Sequence, residues 1–506
     1  MVDLPTSRRQ VLKGAGGAAL LSAAPNISRR AFAQSRGGTL VISGGFYPIS
    51  MDPRMWENGE EYIVGDCIYS NLTRLTPDFG IEPELATSWE ASDDAMTWTF
   101  NLRKGVKFHN GKELVADDVV FSIERALEPG TKARGAIGPI DTAEALDAYT
   151  VQIKLKSPYA DLATTMAKPQ IHIVPRWNDK IETNPIGTGP FKVRSILPGE
   201  RIEYERFGDY FMDDLPYLDR IVEVINPQPS AALNGLVAGD IDVVWNASLD
   251  WESAIAGRDS VKMEQVASPG YNNIYMMVDR EPFNDVRVRQ ALKHTVDREK
   301  FVSAVLNGNG TVANDHPVPP FNRYHNDSIP LRKQDHEKAR QLLKEAGYPD
   351  GLTLDLYTSE SRFGQLGSAV TLAQFAKPAG IEINVNNIDP GRFWSEYWKK
   401  QPFLVSNWFG RPTIDGTLRP YFHTEGVFNY AKYSDPRVDE LLDKARGETD
   451  FDTRKKMYDE VQRIVHEEGP WVLPYFKNYP VAMRASVQNY PIYPNKWTWL
   501  AQVWKG

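Results

Sequence analysis

Histidines and paired acids are the residues in this 506-residue chain whose spacing would first suggest metal or acid-base chemistry. The eight histidines are scattered, and none forms the His-x-x-x-His or His-x-x-Glu-His spacing of a zinc hydrolase. His109 lies in a turn-forming Lys-Phe-His-Asn-Gly stretch, which favours a hydrogen-bonded loop residue over a metal ligand. Asp117 and Asp118 stand at a predicted helix start, where carboxylates cap free N–H groups. We therefore predict no catalytic residue and no metal site among them.

The sequence also lacks the motifs that are typical of nucleophilic catalysis and of cofactor binding. Residues 187–189 (GTG) are not followed by Lys-Ser/Thr or by a helix, so no phosphate loop is predicted. The single cysteine, Cys67, has apolar neighbours typical of a buried small side chain, and it cannot form an intramolecular disulfide. The mature chain contains neither Gly-x-Ser-x-Gly nor Gly-x-Gly-x-x-Gly. These observations predict a protein that is not an enzyme and carries no cofactor.

The charge balance argues against nucleic acid as a partner. The chain has 58 basic and 66 acidic residues, a formal net charge of −8. Residues 1–33 hold five of the basic residues and one acid, so the rest of the chain is more acidic still. Nucleic-acid binding requires clustered Lys and Arg, and no basic block is present. With 42% hydrophobic residues, the composition is that of a folded globular protein.

The N-terminal segment resembles a twin-arginine export signal. Residues 7–13 (SRRQVLK) carry an arginine pair, a weakly apolar Gly/Ala-rich stretch follows at 14–24, and residues 31–33 (AFA) form a small-x-small cleavage pattern. The apolar stretch is shorter than the roughly 20 residues of a membrane span. We predict that residues 1–33 are removed and that the mature protein is soluble in the periplasm. Because this route often exports prefolded cofactor proteins, an exported cofactor enzyme remains an alternative.

Hydrophobic periodicity divides the mature chain into short strands and helices without a repeat or a long linker. The predicted strands are 38–43, 97–102, 150–155, 202–204, 221–224, 241–245, 353–357 and 381–385. The predicted helices are 116–126, 231–237, 286–295, 298–306, 336–346, 367–379, 437–445 and 453–466. The strand–helix–strand order between 353 and 385 is a βαβ pattern, which indicates a mixed α/β protein.

Four sequence blocks resemble extracellular solute-binding protein family 5, which includes the dipeptide-, oligopeptide- and nickel-binding components of ABC importers. The longest block extends over residues 85–122, from LATSWEASDD through WTFNLRKGVKFHNG to DDVVFS. The others are 185–191 (PIGTGPF), 282–292 (PFNDVRVRQAL) and 339–348 (ARQLLKEAGY). Because the blocks span the mature chain, we identify it as a member of this family.

The resemblance implies a two-lobed α/β periplasmic binding protein fold with an extra subdomain and a hinge between the lobes. Domain I would comprise residues 34–270 plus 475–506, with the subdomain inserted at about 53–190. Domain II would comprise residues 271–474. The chain would then cross between the lobes near 268–271 and return near 473–476. The implied partners of this monomer are a small-molecule ligand in the interlobe cleft and an inner-membrane ABC permease.

The resemblance also indicates a ligand-binding segment at residues 407–416 (NWFGRPTIDG). In peptide-binding relatives a Trp lines the cleft, and an Asp three residues later pairs with the peptide amino group. Trp408 matches the Trp, but Arg411 stands where the Asp would be. A guanidinium suits a carboxylate or a phosphate. We expect Arg411 to hold an anionic group, Trp408 to stack on the ligand and Asp415 to meet a hydroxyl or amine; the alternative is that Arg411 only pairs with Asp415.

Three further segments are expected to complete the pocket. The loop at 357–362 corresponds to a stretch that contacts peptide termini in relatives, and aromatic and amide side chains near the first crossover and in the first loop provide a typical small-molecule lining. The residues concerned are Glu360, Arg362, Tyr271, Asn273, Tyr47 and Trp56.

Together these residues predict a periplasmic substrate-binding protein for a small anionic or zwitterionic solute. Candidate ligands are an opine, a sugar-acid or phosphate conjugate, a modified amino acid or a short peptide. A di- or oligopeptide-binding protein is the main alternative. Capture of a nickel chelate or of haem would use His or Arg in the cleft, and His423 is the one histidine close to Trp408 in the sequence.

Overall fold

The computed structural model describes residues 36–57 and 59–506. The predicted signal, residues 1–33, lies outside the described residues. Within the described part of the chain, no helix has the length and apolar character needed to cross a membrane.

Twenty strands and thirteen α-helices make up the described chain, with 3-10 and π turns between them. The strands are β1 (Thr39–Gly44), β2 (Thr73–Leu75), β3 (Ile81–Pro83), β4 (Ala86–Ala91), β5 (Thr97–Leu102), β6 (Ile140–Asp147), β7 (Thr150–Leu155), β8 (Phe191–Leu197), β9 (Arg201–Arg206), β10 (Arg220–Ile225), β11 (Val243–Val244), β12 (Val261–Met276), β13 (Gly310–Val312), β14 (Leu352–Ser359), β15 (Ile381–Ile388), β16 (Phe403–Trp408), β17 (Trp471–Val472), β18 (Tyr475–Arg484), β19 (Val487–Gln488) and β20 (Trp504–Lys505). The helices are α1 (Glu60–Ile68), α2 (Ala116–Leu127), α3 (Leu162–Thr165), α4 (Pro229–Ala238), α5 (Glu252–Ile255), α6 (Val286–His294), α7 (Arg298–Leu306), α8 (His336–Glu345), α9 (Gln365–Ala376), α10 (Pro390–Arg392), α11 (Ile414–Phe422), α12 (Pro436–Gly447) and α13 (Phe451–Glu468).

Local capping chemistry explains where several helices begin. In α2, Asp118 Oδ2 accepts a hydrogen bond from the Val115 N–H at 3.1 Å, which confirms a capping role for this acid. The side chains of Asp297 and Asp450 likewise accept backbone N–H groups at the starts of α7 and α13. These caps satisfy donors that have no partner within the helix.

A 12-stranded mixed sheet organises most of the molecule, with ten strands in the order β15-β14-β16-β12-β18-β11-β1-β10-β9-β8. The two longest central strands, β12 and β18, run antiparallel. A separate four-stranded antiparallel sheet has the order β4-β5-β7-β6. The main sheet thus joins the N-terminal and C-terminal parts of the chain to its middle through β12 and β18.

Strand β12 changes partners in the middle of the sheet. It pairs with β18 up to Gly270, opposite Lys477, and the register shifts between Ala267 and Gly270. From Tyr271, opposite Trp408, it pairs with β16 instead. Such a bulge bends a strand and increases its twist. The change of partner falls within the segment predicted for the first crossover, while the domain limits themselves remain a prediction.

The two sheets pack on several separate hydrophobic cores. One core surrounds β1 and β10 and includes Trp245 and Tyr479. A second core lies within residues 72–173, on the four-stranded sheet. Two more cores cover the opposite faces of β14 and β16, one with α7 and α9, the other with α11 to α13. Separate apolar cores allow each part to be stabilised by its own burial.

Candidate functional site

Three parallel strands of the middle region end at one edge of the sheet. Strand β14 is parallel to both β15 and β16, so the carboxyl ends of all three meet there. In open α/β sheets, ligands bind just outside the carboxyl ends of the strands. Glu360 and Arg362 follow β14, Trp408 ends β16, and Arg411 comes three residues later. The structure therefore brings these four predicted residues to the same edge.

A second carboxyl edge, formed by β1, β10 and β11, faces the first. These strands are also parallel; Tyr47 follows β1, and Asn246 follows β11. Lys496, from the C-terminal segment, donates from Nζ to Asn246 Oδ1 at 2.9 Å. Its Nζ lies 5.4 Å from the ring centroid of Phe409, the residue after β16. The space between the two edges is the candidate cleft.

Trp408 belongs to a cluster of aromatic rings at the first edge. Its Nε1 donates to the Tyr430 hydroxyl at 2.6 Å, and the two rings stack with centroids 6.0 Å apart. Phe428 and Tyr421 pack on the same indole at 4.9 and 5.0 Å. Trp408 is half-buried, so part of the indole remains accessible. The aromatic cluster consists of Trp394, Trp398, Trp408, Tyr421, Phe428 and Tyr430.

Arg411 is exposed beside this aromatic cluster. Its guanidinium is close enough to the Tyr421 hydroxyl to counteract the burial that raises the pKa of that tyrosine to about 12. In the described part of the chain no carboxylate forms an ion pair with Arg411. The preceding Gly410 donates its N–H to Pro269 O at 2.9 Å, and a Cβ there would lie 2.3 Å from the Pro269 Cβ. Only glycine allows this turn to approach β12 so closely.

Within the described residues, Asp415 forms no ion pair with Arg411. It lies in the first turn of α11, is 7% exposed, and has Arg446 as its cationic partner at 4.0 Å. Burial, with a contribution from the nearby Asp161 carboxylate, raises the pKa of Asp415 to about 6. The alternative that Arg411 only pairs with Asp415 is therefore wrong. Because Asp415 is enclosed by protein, this geometry does not offer it to a ligand.

The two predicted residues of β12 lie beneath the aromatic cluster. Tyr271 is 1% exposed, and its ring contacts Trp471 and Phe476, each at 6.0 Å. Asn273 is fully buried and donates from Nδ2 to the Tyr430 hydroxyl at 3.4 Å. Both side chains therefore support the cluster from below and do not form the surface of the cleft.

The two aromatic residues predicted from the first loop have different environments. Trp56 is fully buried, packs on Tyr69, and donates from Nε1 to Ser50 O at 2.8 Å. It is a core residue, so its predicted role as part of the pocket surface is wrong for this structure. Tyr47 is half-buried just after β1, and burial together with the Glu223 carboxylate raises its pKa.

The loop after β14 presents both of its predicted residues to solvent. Glu360 Oε1 accepts from Asn387 Nδ2 at 3.2 Å, which ties the loop to β15. The Arg362 guanidinium lies 5.9 Å from the ring centroid of Trp394, within the range of a cation–π contact. Arg362 thus extends the cationic character of the edge beyond Arg411.

Sequence reasoning missed a lysine on the central strand β18. Lys477 is half-buried, and its Nζ donates to Asn272 Oδ1 at 3.1 Å. Burial, followed by the positive charges of Lys496 and Arg362, lowers the pKa of Lys477 to about 7. The signal available in the sequence is a single lysine within an otherwise mostly apolar and aromatic strand.

Metal-binding geometry is absent from the part of the chain that the structure describes, where no three His, Cys, Asp or Glu residues form a group able to hold an ion. His423 is buried, and its Nε2 lies 3.5 Å from Asp443 and 3.9 Å from Asp439. His109 is a loop residue whose Nε2 contacts Gly189 O at 3.1 Å, and burial lowers its pKa to about 4. Both histidines are accounted for by local contacts.

Comparison with known proteins agrees with this geometry. Residues 80–429 match the family model of bacterial extracellular solute-binding proteins, family 5. The chain is 30% identical to heme-binding protein A of Haemophilus influenzae over 87% of each chain. It is 29% identical to the glutathione-binding protein GsiB of Pectobacterium atrosepticum over 93% of each. The structure of HbpA2 from Haemophilus parasuis matches with a TM-score of 0.84 and 25% identity, covering 93% of this chain and 100% of that one.

The fold and the site define a mixed α/β binding protein of the periplasmic class. The chain belongs to family 5 of the bacterial extracellular solute-binding proteins. Its relatives are binding proteins that take small ligands and work with ABC permeases, so the predicted class, a substrate-binding protein of an ABC importer, is confirmed. The predicted fold class is confirmed too, while the hinge between two lobes remains a prediction.

Proposed function

We propose that this protein captures a small anionic or zwitterionic solute in the candidate cleft and delivers it to an inner-membrane ABC permease. The ligand class comprises opines, sugar-acid or phosphate conjugates, modified amino acids and short peptides. The protein works without catalysis, as a monomer in the periplasm, after export by the twin-arginine route. Di- or oligopeptide binding remains the alternative, since a peptide carboxylate would meet the same arginine.

One observation carries the anionic assignment: Arg411 is exposed at the carboxyl edge, beside the aromatic cluster and without a carboxylate partner in the described chain. A guanidinium in such a position holds a carboxylate or phosphate through two parallel hydrogen bonds. Trp408 would provide an apolar face for the body of the same ligand. The haem and glutathione in the names of two relatives both carry carboxylates, which agrees with this assignment.

A nickel-chelate binder and a cofactor enzyme have less support. His423 is held between Arg419 and two carboxylates and is not exposed toward the cleft. Within residues 36–57 and 59–506, the buried acid Asp415 has no histidine, serine or cysteine partner. Neither a metal chelate nor a covalent reaction is therefore favoured by the residues at the edge.

The test is a thermal-shift screen of the mature protein against peptides, opines, sugar acids, phosphorylated sugars and nickel chelates. A ligand that binds only the folded state raises its stability, by about 2.7 kcal/mol at a hundredfold excess over Kd. We expect selective shifts with acidic compounds, and loss of those shifts in Arg411→Ala but not in the exposed control Arg463→Ala. Strong shifts with neutral peptides in both variants would overturn the anionic assignment. Turnover of a compound that causes no shift would support the alternative that the protein is an exported enzyme.

A further inference from the structure

Three indole rings form a continuous row at the carboxyl edge of the middle region. The ring centroids of Trp394 and Trp398 are 5.4 Å apart, and those of Trp398 and Trp408 are 6.0 Å apart. All three residues are half-buried, so each indole keeps an accessible part. These three residues are called the indole row below.

The segment between β15 and β16 presents two of these rings. Residues Phe393–Tyr397 form a π-helical turn, closed by a hydrogen bond from the Trp398 N–H to Phe393 O at 2.9 Å. Lys399 follows with a φ of +65°, and its N–H donates to the Tyr275 hydroxyl at 3.2 Å. Such turns and left-handed residues are uncommon and are found frequently at functional sites. An unusual local backbone thus places two indoles beside Trp408.

The indole row offers ring faces and few hydrogen-bonding groups. Trp398 Nε1 donates to Ser406 Oγ at 3.2 Å, and Trp408 Nε1 donates to the Tyr430 hydroxyl at 2.6 Å. A body rich in hydroxyls would lose hydrogen bonds to water without gaining partners from these two indoles. A flat apolar body loses no such bonds and gains stacking contacts. The indole row therefore favours an aromatic ring over a sugar ring.

Exposed apolar side chains border the indole row. Val427 is 77% exposed and precedes Phe428, whose ring centroid lies 4.9 Å from that of Trp408. Phe363 is 43% exposed and follows Arg362 in the loop after β14. Exposed apolar groups that lie together often mark a binding surface. The surroundings of the row therefore suit an apolar body as well.

Two exposed cations lie over rings of this surface. Lys399 Nζ is 4.2 Å from the ring centroid of Trp398 and 5.5 Å from that of Phe428. The Arg362 guanidinium carbon is 5.9 Å from the ring centroid of Trp394. Across the described chain, neither cation forms an ion pair with a carboxylate. Their charges oppose a cationic ligand, which an aromatic surface would otherwise attract, and favour an anionic one.

We infer that the indole row is the subsite for the body of the solute, and that this body is a planar aromatic ring bearing an anionic group. The ring stacks on Trp394 and Trp398, while Arg411 holds the anionic group. Lys399 and Arg362 surround the ring with positive charge and select against cationic aromatic compounds. This inference rests on the proposed function, because it names the ligand class of the same cleft.

The test compares carboxylates that differ only in their bodies, so it does not depend on knowing the solute. The probes are 2-naphthoate, which is planar and aromatic; decahydro-2-naphthoate, which has the same carbon skeleton without aromatic rings; and glucuronate, a sugar acid. Each is titrated calorimetrically into the mature protein at equal ionic strength. We expect 2-naphthoate to bind about fivefold more tightly than either of the others, and the cation 2-naphthylmethylammonium to bind more weakly than 2-naphthoate.

The variants Trp394→Leu and Trp398→Leu keep an apolar side chain but remove the indole. Each should weaken the binding of 2-naphthoate about fivefold and change that of decahydro-2-naphthoate much less. Melting temperatures check that both variants are folded. Trp89→Leu, at a half-buried indole of β4 on the other sheet, is the matched control and should bind 2-naphthoate normally.

Absence of 2-naphthoate binding, equal binding of 2-naphthoate and its saturated analogue, or unchanged affinity in both indole variants would overturn the inference. Tighter binding of the naphthyl cation would also overturn it. If Arg411→Ala still weakens the binding of acidic solutes in those cases, the proposed function stands without an aromatic body. If Arg411→Ala weakens the binding of no acid, the proposed function itself fails.

Discussion

Lys477 Nζ donates to the amide oxygen of Asn272 at 3.1 Å, and this bond links β18 to β12 beside the bulge. The amide is neutral, so it orients the ammonium without compensating its charge. Burial and the facing cations Lys496 and Arg362 therefore lower the pKa of Lys477 to about 7. Near neutral pH, a small change in proton concentration changes the charge of the cleft.

The low pKa of Lys477 predicts how stability depends on pH. Between about pH 7 and its ordinary pKa near 10.5, the unfolded chain holds this proton while the folded, ligand-free protein does not. The unfolded state then binds more protons, so stability rises with pH in this window, by at most about 1.4 kcal/mol per pH unit for one group. Urea unfolding at pH 7 and pH 9 should show a larger gain for the wild type than for Lys477→Met. Equal gains would contradict the lowered pKa.

Trp408 should contribute to both stability and binding. Replacing it with Ala removes the ring that packs on Phe428 and Tyr421 and leaves the Tyr430 hydroxyl with only the longer hydrogen bond from Asn273. Truncation of a packed aromatic side chain costs about 3 kcal/mol or more. Urea unfolding should show this loss for Trp408→Ala and a smaller one for Trp408→Phe, which keeps a ring. A loss below about 1 kcal/mol would mean that the cluster relaxes around the gap.

Local periodicity predicted the elements of the middle region well. The strand, helix and strand expected at 353–357, 367–379 and 381–385 are found at Leu352–Ser359, Gln365–Ala376 and Ile381–Ile388. Strand β12 was missed, because Ser268, Pro269 and Gly270 interrupt it and polar residues stand on both faces. Its long pairing with β18 is formed between distant parts of the chain, which local patterns do not report.

The candidate site was predictable only in part. Resemblance to the family pointed to Arg411 and Trp408, and the structure places both at the carboxyl edge. Lys477 was missed because its hydrogen bond to Asn272 joins residues that are 205 positions apart in the sequence. Trp56 was assigned to the pocket because a Trp in a loop resembles a lining residue, yet α1 and the following segments enclose it completely. Burial of this kind follows from tertiary packing and not from composition.

Asp66 should make the protein less stable at alkaline pH. Its Oδ2 accepts from the Thr498 N–H at 2.9 Å and from the Thr498 hydroxyl at 2.6 Å, while burial raises its pKa to about 8. The folded state therefore keeps a proton that the unfolded state loses near pH 4, and stability from this group falls as pH rises to about 8. Asp66→Asn keeps an acceptor oxygen and removes the titration.

We expect the melting temperature of Asp66→Asn, relative to wild type, to be higher at pH 8 than at pH 5. Asp259→Asn, at an exposed position, is the control and should show the same difference at both pH values. A constant difference for Asp66→Asn would mean that this carboxyl titrates normally.

Asp161 and Arg454 form a buried ion pair between the predicted subdomain and the predicted domain II. Their side-chain atoms Oδ1 and Nη1 are 2.6 Å apart, and the residues are 6% and 4% exposed. Arg454 also donates from Nε to Ala445 O at 2.9 Å, which keeps the guanidinium on the α12 side when Asp161 is absent. Removing one partner of a buried pair leaves the other charge desolvated, at a cost of about 3–5 kcal/mol.

If the two parts move as lobes, that cost is relieved by separating them, because water then reaches the remaining charge. Asp161→Ala and Arg454→Ala should each increase the radius of gyration of the ligand-free protein in small-angle scattering. The double variant removes both members of the pair, so neither is left unpaired, and it should be more compact than either single variant, since the two effects are coupled. Single variants that keep the wild-type radius while losing unfolding free energy would place the pair inside one rigid unit and would remove this contact from any hinge motion.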